Sequence, residues 1–432
     1  MRNCGIILKS LVLFCVMACS IQTPLAYAVD KICDLHLTAE RTSLETVWIA
    51  GESGSVLFNS GFRKYFFDQA FTPEMRPKMH PSIDLSLKGD VVAYLDPSSK
   101  KLIIKNTKDG ETVRAIALTE FPQLKETDIL TRVSQDGRLI SIQEKNAARA
   151  TIWSTSFRHP LLTIDAVSEN EKYFGIGTWF SEKHLVVYKY GKIALYGLES
   201  GRPKLKEIFA LRALEKNVLP GEGGVFFPVI RNMVMKASYH EQSDTIVVFY
   251  SGRQPSLLRR PGKNMLRSEI ELDAPQVIKQ MNEKLPQVEE YDLVGALSLA
   301  GYTGTGAVSP SGELVVAIRT QGSGLTANHR TFLDVFSAQS KKLLNTLELW
   351  NLPNSVAISP NDQLIAVALH PDSTNPSLAT EVVVFEIANM KRPLFVIKKA
   401  DLAEASHLAF DGNDAIVGAS TNMGEIKRWN LR

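Results

Sequence analysis

The stretch between Asp244 and Glu269 carries Arg253, Arg259, Arg260, Lys263 and Arg267, with no acid among them. Two later stretches add His329-Arg330 and then His370 with Asp372. A guanidinium is planar and can donate two parallel hydrogen bonds to a carboxylate or a phosphate. These nine residues are therefore the expected binding set, and the chemistry they suit is capture of an acidic protein surface or an anionic polymer. The competing reading is a solvated charge run that keeps surface loops in water.

Catalytic signatures do not accompany them. The sequence has no Gly-x-Ser-x-Gly nucleophile elbow, no Gly-x-x-x-x-Gly-Lys-Ser/Thr phosphate loop, no Gly-x-Gly-x-x-Gly, no Cys-x-x-Cys and no His-Glu-x-x-His. The nearest approach to a metal motif is His240-Glu241-Gln242-Ser243-Asp244. It precedes an apolar strand, and a metal pair at i and i+4 needs a helix, so it reads as a polar turn. The eight histidines, at 36, 80, 159, 184, 240, 329, 370 and 407, are scattered. Of these, His407 sits on a candidate inner strand and is the one to watch, against the ordinary reading of a packed core histidine. No catalytic residue, metal or cofactor is assigned, and the enzyme question leans toward no.

The elements that must hold these residues are short strands. Apolar runs of four to eight residues recur between turn residues, and the runs repeat as a larger unit. The clearest unit is Ser355–Ile387: SVAI, the turn Ser359-Pro360-Asn361-Asp362, LIAVAL, a loop, then EVVVFEI. The unit before it has Ala307-Val308, the turn Ser309-Pro310-Ser311-Gly312, LVVAI, a loop, and TFLDVF. Weaker copies run back to residue 82, one of them through Ile129–Val133, the turn Ser134-Gln135-Asp136-Gly137, Leu139–Ile142 and Ala150–Trp153, and the chain closes with EIKRWNL. Strands buried on both faces read as continuous apolar runs, and small sheets are stable only when stacked on one another.

The Ser-Pro-(Ser/Asn)-(Gly/Asp) turn, the following apolar strand and a third strand ending in an aromatic resemble the WD40-type and related bacterial exported β-propellers. Trp153-Ser154, Phe336-Ser337, Phe385-Glu386 and Trp429-Asn430 stand where that family has its Trp-Asp pair. The resemblance covers nearly all of residues 33–432. It implies an all-β fold, a seven- or eight-bladed β-propeller, and it speaks to fold more than to function. Seven units are visible from residue 82, and Glu45–Asp68 is a possible eighth. The last unit lacks an outer strand, which Cys33–Thr38 can supply, so the ring is expected to close with strand from both chain ends.

Three connections between second and third strands are long: Ser251–Asn264, Thr320–Arg330 and His370–Ala379. Equivalent loops emerge on one side of a repeat ring, so they are expected to form one patch on one face. Asp273–Leu285, with Asp273 as N-cap and Val277, Ile278, Met281 and Leu285 at helical spacing, predicts a helical insertion near 273–286. It covers a blade or docks a partner. Trp48, Trp179 and Trp350 are candidates for a carbohydrate contact, but core packing is the simpler role.

The chain has 432 residues, 44% apolar and 22% charged, which is ordinary globular composition. Its start reads as an export signal, residues 1–28. Arg2 and Lys9 precede the apolar Leu11–Val16, and Ala26-Tyr27-Ala28 offers a cleavage site after Ala28. A lipoprotein box at Val16–Cys19, with Cys19 lipidated, is the competing reading. Cleavage leaves a single domain, 29–432, with 47 basic against 46 acidic residues and Cys33 as its one cysteine. Near-neutral charge argues against nucleic acid as the partner. No later run is long enough to cross a membrane as a helix. The expectation is a periplasmic, non-catalytic interaction scaffold or accessory subunit, its partner a protein or an anionic envelope polymer. The alternatives are a lactonase-, lyase- or quinoprotein-type propeller enzyme with an axial metal or cofactor, and a polysaccharide or peptidoglycan binder.

Overall fold

The computed structural model describes residues 44–49, 83–96, 101–117, 129–144, 149–155, 159–165, 176–189, 191–211, 216–220, 226–230, 233–262, 265–275, 301–321, 330–351, 353–369, 382–397, 407–419 and 425–431. Nearly all of these residues fall into antiparallel meanders, each running from an inner to an outer strand. Blade one is Ile83–Leu85, Val91–Asp96, Lys101–Asn106 and Thr112–Ala117, and blade two is Ile129–Val133, Leu139–Glu144, Arg149–Ser154 and Pro160–Asp165. Blade three is Ile176–Phe180, His184–Lys189, Lys192–Gly197 and Lys204–Ala210. Blade four is Met233–His240, Thr245–Ser251, Ser256–Arg259 and Ser268–Glu271. Blade five is Gly301–Val308, Leu314–Gln321, Arg330–Ser337 and Leu343–Leu349, and blade six is Pro353–Ile358, Leu364–Leu369, Val382–Glu386 and Asn389–Ile397. Blade seven is His407–Asp411, Ala415–Ala419 and Glu425–Asn430, and Leu44–Ile49 lies antiparallel to its last strand. A separate hairpin, Lys216–Pro220 with Phe226–Ile230, lies in the sequence after blade three and before blade four.

Seven apolar clusters occupy the seven seams between these sheets. At the last seam, Ile83, Val92 and Tyr94 of blade one pack on Val417, Ala419 and Ile426 of blade seven. The first and last sheets thus cover each other, and the fold is a seven-bladed β-propeller. The second and third strands lie between two neighbours and are buried on both faces, as their unbroken Val/Ile/Leu runs require. The aromatics at the third-strand ends behave as one structural position. Trp153, Phe336, Phe385 and Trp429 are all buried.

The repeated serine turn has a mechanical explanation. The hydroxyls of Ser86, Ser134, Ser309 and Ser359 each accept a hydrogen bond from the backbone N–H five residues on, at 2.9–3.0 Å. Three residues after each serine, an N–H donates back to the serine carbonyl. That third residue has positive φ, which glycine adopts without steric cost. At Gly89 a Cβ would stand 3.0 Å from Ala409 of blade seven, so the turn also needs the missing side chain to seat on its neighbour. Blade turns touch in succession: the Lys88 N–H donates to Gln135 at 2.9 Å, Lys183 N–H to Glu241 at 3.0 Å, and Asn361 N–H to Asn413 at 3.0 Å. Ser309 is fully buried. Replacing it by alanine strands the Leu314 N–H, and the expected loss is about 0.5–1.5 kcal/mol in a urea titration.

Several expectations meet the structure here. The blade number is seven. Residues 1–28, Cys33–Thr38 and 276–300, the last holding most of the expected helix, lie outside the described residues. The described part of that segment, 273–275, is not helical, and Leu272 and Ala274 pack into the seam between blades four and five.

Candidate functional site

An antiparallel meander sends alternate connections to opposite ends of the ring. First-to-second and third-to-fourth strand turns share one end, called here the turn end. Second-to-third strand loops and the connections between blades share the other. Blade four changes the expected loop geometry. Ser256–Arg259 is a strand, pairing with Ile246–Val248 on one side and Ser268–Glu271 on the other. The long basic connection is therefore not Ser251–Asn264 between second and third strands. It is the third-to-fourth strand loop that follows Arg259. Arg259, Arg260 and Arg267 consequently lie at the turn end, beside Asp244 and Thr245. Arg330 pairs in register with Gln321 and lies at the opposite end, as does Arg253. The expectation of one patch on one face is corrected: the described residues are divided between two ends. Lys263, His329, His370 and Asp372 lie outside the described residues.

The five described arginines of the expected binding set all have partners. Arg267 is almost fully buried, pairs with Asp244, approaches Glu207 at 3.6 Å, and lies over the rings of Phe209 and Tyr239. Burial opposes the Asp244 charge, but the Arg267 hydrogen bond and charge outweigh it and hold the carboxyl below its ordinary value. Burial and the Asp244 charge push the Tyr239 phenol up to about 12. Arg260 pairs with Glu207 and lies 3.3 Å from Asp244. Arg259 donates to the Thr245 hydroxyl at 2.8 Å. Arg253 pairs with Glu269 and stacks on Tyr250, 4.1 Å from its ring centre. Arg330 grips Glu348 on the surface of blade five. The acids missing between residues 244 and 269 are supplied from the two borders of that stretch and from blade three.

What the braced loop presents is apolar. Met265 is 58% exposed and Leu266 is 85% exposed, the most exposed large apolar side chain among the described residues. The Met265 carbonyl accepts from Arg260 at 3.4 Å, and its N–H donates to Gly262 at 3.0 Å. Partly exposed Arg260 at one end and buried Arg267 at the other fix the segment while its two apolar side chains stand in water. The sequence offered a signal for this, Met265-Leu266 inside an arginine-rich loop, but the charges drew the reading.

A second constellation lies on the axis. Inner strands contribute Asp84 from blade one, Arg132 from blade two, Lys236 from blade four and His407 from blade seven. Arg132 Nη1 lies 3.2 Å from Asp84 Oδ1, the Val133 N–H donates to Asp84 Oδ2 at 2.9 Å, and His407 Nδ1 lies 3.9 Å from Asp84. Lys236 donates to the Gly306 carbonyl of blade five at 2.9 Å. Lys236 bears electrostatically on Asp84 and His407, three blades away. In a propeller the inner strands of all blades line a common central channel, which places these four residues around one axis.

Burial drives the Asp84 carboxyl up, against Arg132 and the Val133 N–H, which favour its charge. Burial lowers the Lys236 ammonium to about 8, with Arg132 adding to the effect. The His407 imidazole falls to about 3 through burial and the charges of Arg132 and Lys236, so it is neutral at physiological pH. His407 is thus neither isolated nor simply a core histidine. It stands on a channel wall with its side chain 28% exposed. Among the described residues no three His, Cys, Asp or Glu side chains are placed to hold a metal ion. His240 ends a strand and Glu241–Asp244 form a turn, as the sequence reading has it. Trp350 is half-exposed at the end opposite the basic loop, Trp179 packs against the core of blades three and four, and the Trp48 side chain lies outside the described residues.

No protein-family model matches the sequence, and no curated protein matches it. Solved structures do. Hydrazine synthase of Kuenenia stuttgartiensis is similar over 82% of this chain and 96% of its own, at 9% identity and a TM-score of 0.51. Hsv2 of Kluyveromyces marxianus is similar over 82% of this chain and 92% of its own, at 10% identity and a TM-score of 0.50. The likeness is one of fold. At such identity it carries the propeller architecture and nothing about activity.

Proposed function

We propose that this chain is a partner-binding β-propeller of the cell envelope, exported by residues 1–28 and engaging a protein through the turn end of blade four. The observation that carries the reading is the Met265–Leu266 pair, held out on a loop braced by buried Arg267 and by Arg260. Binding surfaces concentrate their energy in a few apolar or aromatic anchors, and rigid presentation lowers the entropy lost on docking. In this reading Arg259, Arg260 and Arg267 position the contact. Arg253 and Arg330, paired with Glu269 and Glu348, lie at the other end and take no part in it. Export rests on Arg2, Lys9, the apolar Leu11–Val16 and Ala26-Tyr27-Ala28. We further propose that Leu44–Ile49 serves as the outer strand of blade seven, latching the ring from the N-terminal side.

The test is crosslinked capture from envelope fractions with the native chain and with a Met265→Ser/Leu266→Ser variant. A discrete partner retained by the native chain should fall by about tenfold or more with the variant, as expected for anchor residues. Thermal melting should be unchanged, because both side chains are exposed. Undiminished capture of the same partner would remove the turn end as the contact.

A further inference from the structure

The axial channel holds more fixed positive charge than negative. Among the described residues Asp84 is the acid that bears on Arg132 and Lys236, and His407, 3.9 Å from Asp84, is neutral. Arg132 gives one of its five N–H donors to Asp84, and Lys236 gives one of its three to a backbone carbonyl. No carboxylate lies within ion-pair distance of Lys236 among the described residues, and its other neighbour is the Phe249 ring, 5.9 Å away. Yet the channel is not sealed. The side chains of Arg132, Asp84 and His407 remain 18%, 13% and 28% exposed. An enclosed ammonium that shares Asp84 with Arg132, and does so beyond ion-pair distance, is costly, and a small anion entering the channel relieves that cost.

We propose that this channel is a binding site for a small oxyanion, a phosphate or carboxylate group, held by Arg132 and Lys236 with His407 donating an N–H from the wall. Four separate blades must be assembled to form it, so the site exists only in the closed ring. It is independent of the Met265–Leu266 surface. The ligand chemistry is shared by free inorganic phosphate and by small carboxylic acids, and separate titrations distinguish them.

The experiment is isothermal titration of the full chain with inorganic phosphate and, separately, acetate, alongside NMR observation of the His407 ring. Saturable binding of one equivalent of at least one anion is expected. Lys236→Met should weaken it about ten- to a hundredfold, the range for losing one charge-assisted hydrogen bond. The Met265→Ser/Leu266→Ser variant should bind unchanged, which separates this site from the partner surface. In the native chain the anion should shift the His407 signal and raise its titration midpoint, since an added negative charge favours the imidazolium. Absence of saturable binding, or equal binding by a folded Lys236→Met chain, overturns the proposal. Should that variant fail to fold, the native His407 signal decides: movement with saturation sustains the site, and no movement overturns it.

Discussion

Asp334→Ala should cost about 3–5 kcal/mol of folding stability, the range for orphaning one half of a buried ion pair. Asp334 is wholly buried on the third strand of blade five. Its carboxylate accepts from Arg319 on the second strand at 2.7 and 3.2 Å, from the Tyr302 hydroxyl on the inner strand at 2.8 Å, and from Thr346 on the outer strand at 2.9 Å. One side chain therefore ties all four strands of the blade. Burial and the Asp334 charge push the Tyr302 phenol far above its ordinary range, so it stays a donor. Arg319 is 4% exposed and lies over the Phe332 ring, 4.2 Å from its centre. Without Asp334 its charge has no carboxylate partner among the described residues. Urea unfolding should show the loss, and the paired replacement Arg319→Met/Asp334→Leu should recover most of it, because an apolar pair leaves no charge to desolvate. A loss below about 1 kcal/mol for Asp334→Ala would mean that water reaches Arg319 and that the blade is looser than drawn.

Trp429→Ala should be comparably severe, about 3–5 kcal/mol for emptying a buried aromatic site. The indole is 1% exposed in the seam between blades six and seven, against Phe410, Ile416 and Ala366. It fills the space above Gly418, where a Cβ would come within 2.8 Å of the ring. The seam has no slack to close the void. Trp429→Phe should lose less, since most of the buried volume is kept, and the order of midpoints in urea checks the packing argument.

The parts of the fold legible in the sequence were those under two-sided burial. LVVAI, LIAVAL and VVVF admit no polar residue because both faces meet a neighbouring sheet. The serine turns were legible because a hydroxyl, a tight reversal and a positive φ leave a fixed residue spacing. Third-strand aromatics were found for the same reason. Outer strands were not. Lys204–Ala210, reading KLKEIFA, presents one face to water and mixes charges with apolar residues, so it resembles a loop. The four-residue strand Ser256–Arg259 was hidden by Arg259-Arg260-Pro261 beside it, and missing it misassigned the loop by one strand and hence by one end of the ring. Of the axial set the sequence pointed to His407 alone, from its place on a candidate inner strand. Asp84, Arg132 and Lys236 went unseen because they become its neighbours only through ring geometry, and each alone is one polar residue on a short strand. Asp334, inside TFLDVF, carried the opposite lesson: a lone acid in a doubly buried run signals a partner, and the partners come from every strand of its blade.

The apolar seam joining Ile83, Val92 and Tyr94 to Val417, Ala419 and Ile426 has a topological consequence. A stack of sheets ordinarily has two outermost members that peel first. Here neither exists, and detaching any one sheet exposes apolar surface on two flanks at once. Partial opening is therefore doubly penalised, which favours retention of the whole circle under mechanical or proteolytic stress.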